Sequence, residues 1–115
     1  MTEGRLKLSR QILENIRSEL IQCGAVASNK EFCESWLARD ESYMRGLKFR
    51  HLDPSAATLA TCASKLGYYA HHLANSTKPE HQDWRQRFIK LRQLCEQAME
   101  QQARAQWMAP KRMGL

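Results

Sequence analysis

Apolar side chains along this chain recur at three- and four-residue intervals. Leu8, Ile12, Leu13, Ile16, Leu20 and Cys23 fall on one face, with Arg10, Glu14, Arg17 and Glu19 on the other, which predicts an amphipathic helix from about Leu8 to Cys23 that Gly24 ends. Ser28-Asn29-Lys30-Glu31 has the form of a capping box, in which hydroxyl and carboxylate each satisfy a backbone N–H that a helix start leaves unpaired. It predicts a short second helix carrying Phe32, Cys33, Trp36 and Leu37 to the core. Asp40 is suited to cap a third helix, running to about Phe49 with Tyr43, Met44 and Leu47 as its apolar positions. Asp53-Pro54 signals a fourth start, followed by the stripe Leu59, Cys62, Ala63, Leu66, Ala70 and Leu73.

Thr77-Lys78-Pro79-Glu80 reads as a second capping box, opening one long helix from about Lys78 to Met108. Within it Trp84, Phe88, Leu91, Cys95 and Ala98 are spaced 4, 3, 4 and 3 apart, a heptad-like seam. The seam needs a partner, either the preceding helices or a second copy of itself. Strict apolar alternation over five or more residues is hard to find, so strands have little support. The expected fold is all-α: a compact helix-turn-helix bundle of about four helices (residues 1–76), a long C-terminal helix (77–109) and a basic tail (110–115). At 115 residues there is room for one domain with a helical extension.

Composition narrows the classes of function. Eighteen Lys and Arg against twelve Asp and Glu give a net charge of +6, a balance that favours polyanionic partners. No apolar run approaches the 18 or so residues of a membrane span. The first residues lead straight into the amphipathic pattern without a secretory signal, so a cytoplasmic location and no membrane association are expected. Cys23, Cys33, Cys62 and Cys95 are too far apart for a paired zinc or redox motif, and each sits on an apolar helical pattern, as reduced buried cysteines do. His71, His72 and His81 have no acidic partner at ligand spacing. Phosphate loops, nucleophile elbows and His-Glu-x-x-His are missing, so neither enzymatic activity, a metal nor a cofactor is expected.

Residues 28–50 fit the plan of two short helices joined by a tight turn, the unit that lays its second helix in the DNA major groove. The run from Lys30 to Leu47 resembles the helix-turn-helix of the lambda-repressor-like (XRE-type) bacterial regulators. There, a Phe-Ala pair on the scaffold helix, a Leu-Gly turn, a Ser-x-Ser-Tyr start and an apolar pair on the recognition helix recur in this order. Asp53-Pro54-Ser55-Ala56-Ala57-Thr58-Leu59 and Cys62-Ala63-Ser64-Lys65-Leu66-Gly67 resemble the next helix of that family. The likeness covers residues 28–67. Three positions depart from it: Phe32 and Leu37 are one residue farther apart than usual, pointing to an insertion at Trp36; Ala38 stands where the turn glycine would; and Gly46 interrupts the recognition helix.

The resemblance implies a sequence-specific regulator of transcription that binds double-stranded DNA as a homodimer on a palindromic site. Phe32, Trp36, Leu37, Met44 and Leu47 would form the core between the two helices, leaving Glu41, Ser42 and Arg45 to face base edges. Arg45 suits guanine O6 and N7, while Glu41 suits cytosine N4 or the positive end of the helix. Arg39, Tyr43, Lys48 and Arg50 would hold the phosphate backbone, positioning the protein without reading sequence. Trp84, Phe88, Leu91 and Cys95 are the candidate dimerisation seam. The competing reading is a helical adaptor or anti-activator with the same shape, since fold alone does not establish DNA binding. Surface decides between them. A shared exposed face of Arg39, Arg45, Lys48 and Arg50 favours DNA, whereas an exposed apolar patch of Tyr68, Tyr69, Trp84 or Trp107 favours a protein partner.

Overall fold

The computed structural model describes residues 2–114, with side chains from Ser9 onward. Its elements in chain order are α1 (Thr2–Gln22), α2 (Asn29–Glu31) running directly into a π-helical turn (Phe32–Trp36), α3 (Tyr43–Arg50), α4 (Ala56–His72) and α5 (Pro79–Trp107). Among the described residues there is no strand, and no helix is long and apolar enough to cross a membrane.

One core joins all the helices. Leu13, Ile16 and Leu20 of α1, Phe32 and Cys33 of the α2 segment, Leu59, Cys62 and Leu66 of α4, and Cys95 and Ala98 of α5 are fully buried together. The most extensive contact is between α4 and α5. Helix α1 runs antiparallel along α5: Gln102 Nε2 donates to Ser9 Oγ at one end, and Arg87 Nη1 meets Glu19 Oε1 at 3.2 Å at the other. Gln102 Nε2 also donates to the Pro54 carbonyl (2.8 Å), so one amide ties α5 to α1 and to the chain leading into α4.

The seam of α5 therefore packs within its own chain. Phe88, Leu91 and Cys95 are at most 2% exposed, and Trp84 is half-buried with its ring 6.0 Å from that of Phe88. This corrects the assignment of the Trp84, Phe88, Leu91 and Cys95 seam to dimerisation: Phe88, Leu91 and Cys95 are enclosed by α1 and α4 and have no area left for a second copy, and Trp84 alone keeps part of its surface exposed. Cys62 and Cys95 face each other in this interior, and a hydrogen bond to Cys95, with burial second, pushes the Cys62 thiol far above its ordinary value. Such a thiol is inert.

Helix ends depart from the sequence expectation where a nearer capping group competes. Ser28 accepts from Glu31 N–H (3.2 Å) as expected, while the Glu31 carboxylate reaches one residue farther back, to Ala27 N–H (2.6 Å). Helix α1 begins at Thr2, upstream of Leu8. Ser55, rather than Asp53, caps α4 by accepting from Thr58 N–H (3.2 Å). Before α5 it is Ser76, not Thr77, that takes the orphan group: its hydroxyl accepts from Lys78 N–H (3.3 Å) and pairs with His81 Nδ1 (2.7 Å), with Pro79 opening the helix.

Candidate nucleic-acid interface

The segment between Asn29 and Arg50 is built around an extra residue. The Leu37 N–H bonds back to the Phe32 carbonyl (3.2 Å), five residues away, and the Arg39 N–H reaches the Cys33 carbonyl (2.8 Å), six away. A π-helical turn absorbs one inserted residue without ending the helix. It thereby accommodates the long Phe32-to-Leu37 spacing: Phe32, Cys33, Trp36 and Leu37 are all buried, with Glu34 and Ser35 exposed between them. Ala38 then reverses the chain at φ 56°, a left-handed conformation that costs a side-chain-bearing residue roughly 1–2 kcal/mol.

Residues 37–42 connect this segment to α3, a longer link than the tight turn expected. Asp40 does not cap the helix directly. Its carboxylate accepts from the Ser42 N–H (2.8 Å) and hydroxyl (2.6 Å), the Tyr43 N–H closes on the Asp40 carbonyl (2.9 Å), and regular helix starts only at Tyr43. These bonds from Ser42, with the positive charge of Arg45 adding to them, hold the Asp40 carboxyl below its ordinary 3.8. Asn29 fixes the link from the other side: its amide donates to the Glu41 carbonyl (3.0 Å), and its Oδ1 accepts from Arg17 Nη1 (2.9 Å). Glu41 and Ser42 thus precede α3, and the Ser42 hydroxyl is already committed to Asp40.

Helix α3 rests on Met44 and Leu47, 2% and 4% exposed, and turns the opposite side to solvent. Arg45, Lys48 and Arg50 are exposed on it. Phe49 is 84% exposed. Four residues along a helix return to the same face, so Arg45 and Phe49 are neighbours on the outward side, with Lys48 and Arg50 flanking. Arg50 Nε bonds to the Gly46 carbonyl (3.3 Å), and its guanidinium covers the place where a Gly46 Cβ would stand. The helix stops at His51, whose φ of 54° lets Leu52 N–H bond to the Leu47 carbonyl (2.9 Å). This is the Schellman arrangement, with His51 in the place glycine usually takes.

Arg39 and Tyr43 converge on the start of α4. Arg39 Nε donates to Thr58 Oγ1 (3.2 Å), its guanidinium lies 5.5 Å from the Tyr43 ring centre, and the Tyr43 hydroxyl is 3.4 Å from the same Thr58 oxygen. Of the residues expected at the interface, then, Arg45, Lys48 and Arg50 share α3, Arg39 and Tyr43 form a second group beside Ser55 and Thr58, and Glu41 and Ser42 lie in the link. None of Arg39, Arg45, Lys48 or Arg50 takes part in the ion pairs seen among the described residues, which join Arg87 to Glu19, Arg92 to Glu96 and Arg104 to Glu100.

Sequence reasoning missed Phe49, Thr58 and Asn29. The first was legible: Phe49 is off the Met44 and Leu47 stripe and four residues past Arg45. The other two depend on which helix ends meet. A second surface lies on α4, where Tyr68 (59% exposed) packs edge-on to His72 at 4.3 Å and to Tyr69 at 5.3 Å. Tyr69 in turn reaches Trp36 and Phe88, so that aromatic face is anchored in the core.

Residues 13–108 match the model of a family of unknown function (DUF6626), and the chain belongs to that family. No curated protein and no solved structure matches the chain.

Proposed function

We propose that this member of a functionally undescribed family is a DNA-binding regulator of transcription that presents α3 to the major groove. One observation carries the reading: Arg45 stands on the solvent side of α3 while Met44 and Leu47 lie beneath it, so that cations engaged in none of the ion pairs among the described residues face outward. In this reading Arg45 contacts a base edge and Lys48 and Arg50 contact phosphates on either side. Arg39 and the Tyr43 hydroxyl serve a phosphate at the N-terminus of α4, where exposed backbone N–H groups of a helix start also favour an anion. The α1 and α5 helices support this unit from behind. Two copies on a palindromic site would have to meet through a surface other than the buried α5 seam.

Binding of a random-sequence duplex, titrated with salt, tests the reading. Affinity should fall linearly with salt on logarithmic axes, because each phosphate neutralised releases counterions. No salt-sensitive binding at low ionic strength would transfer the argument to a protein partner. The Tyr68, Tyr69 and His72 face is the observation that favours this second reading, an adaptor or anti-activator, since an exposed aromatic cluster is the usual mark of a protein contact.

A further inference from the structure

Phe49 is the most exposed of the large apolar side chains described, and it stands in a cationic setting. Arg45 is one helical turn before it on the same face, and Lys48 and Arg50 are its chain neighbours. An apolar ring on a helix face that also carries cations matches a partner that shows an apolar group within a field of negative charge. An acidic protein surface offers the charge at its rim and buries apolar area broadly, which would call for more apolar side chains on α3 than Phe49 alone. The DNA major groove offers the combination directly: phosphates along both walls and, on its floor, the 5-methyl group of thymine, which phenylalanine is among the side chains to contact.

Building on the DNA-binding reading, we propose that Phe49 is a specificity-determining residue that recognises the methyl group of a thymine within two base pairs of the base held by Arg45. Helical geometry fixes the spacing. Arg45 and Phe49 are separated by four residues, about 6 Å along the axis, close to two base-pair steps of about 3.4 Å. The preferred half-site therefore contains a guanine and a thymine within two base pairs of each other. Gly46, between the two in sequence, has no side chain of its own, and the Arg50 guanidinium lies over it.

The test uses the full-length chain and a preferred site obtained by selection from random duplexes. Replacing the thymines of that site singly by deoxyuridine removes one methyl group and leaves pairing intact. At one position, two base pairs or fewer from a guanine, wild-type affinity should drop about fourfold, the worth of one methyl-sized apolar contact. Phe49→Ala should bind the thymine site more weakly and treat thymine and deoxyuridine alike, while keeping the wild-type salt slope and, because Phe49 is exposed, the wild-type Tm. Equal wild-type affinity for every thymine and deoxyuridine pair would overturn the assignment of Phe49 and leave DNA binding standing. So would an F49A variant that still discriminates the methyl group. Loss of all salt-sensitive binding in the wild type would overturn both.

Discussion

Lys65 of α4 donates a hydrogen bond to the backbone carbonyl of Ser35 at 2.7 Å, with its ammonium 4.9 Å from the centre of the Trp36 ring. The π-helical turn displaces the ordinary ladder of carbonyl partners, and this one is met from another helix. Lys65 so fixes the inserted turn to α4 and sets the position from which α3 departs. Lys65→Met keeps the stem and removes both interactions. It should lower unfolding free energy by about 1–2 kcal/mol, from one charge-assisted hydrogen bond and a half-exposed cation–π contact. Urea denaturation checks this as a lower midpoint at unchanged slope.

The left-handed residue after the π-helical turn predicts a change of the opposite sign. Ala38 holds φ 56° with an exposed side chain, so Ala38→Gly relieves conformational strain and loses no packing. The relief of about 1–2 kcal/mol exceeds the extra chain entropy of glycine, about 0.4–1 kcal/mol. Net stabilisation of roughly 0.5–1 kcal/mol is expected, read as a higher Tm.

The two kinds of cation on α3 should separate in binding experiments. Arg45→Ala should cost about 1–3 kcal/mol on a selected site and much less on random DNA, as a base contact does. Lys48→Ala should weaken both about equally and reduce the salt slope by about 1, as a phosphate contact does. Equal losses for Arg45→Ala on the two kinds of DNA would make it another phosphate contact.

Acid should loosen the start of α3. Ser42 bonds and the Arg45 charge lower the folded-state pKa of Asp40 below the unfolded value near 3.8. A lowered carboxylate contributes stability that is complete above the unfolded value and is lost as pH falls through the folded one. NMR titration should therefore place the Asp40 carboxyl below 3.8, and Ser42→Ala, which removes the hydroxyl donor, should move it back up.

Periodicity was sufficient for the helices because each buries a stripe set by local spacing. The stripes Leu13, Ile16, Leu20; Leu59, Cys62, Leu66; and Phe88, Leu91, Cys95 are buried as the spacing requires. Local sequence also carried the anomaly at Trp36, since one residue too many between two apolar positions must go into a bulge or a turn. Helix starts were less legible, because Asp53 and Ser55, or Ser76 and Thr77, are comparable caps in sequence. At α4 the bundle decides, because the Asp53 carboxylate instead accepts from the Arg10 N–H (3.3 Å) across 43 residues, while at α5 the local partner His81, five residues on, engages Ser76.

What the amino-acid order settled on its own is the all-α class, the long last helix and the burial of Met44 and Leu47 opposite Arg45, since a helix of 3.6 residues per turn fixes its faces before it meets anything. What required the tertiary structure is where those faces go. An apolar seam such as Trp84, Phe88, Leu91 and Cys95 is equally content against a neighbour or a twin, and the intrachain partners α1 and α4 decided it. Phe49 shows the converse: local periodicity placed it outward, and the bundle left it uncovered because no other helix reaches over that side of α3.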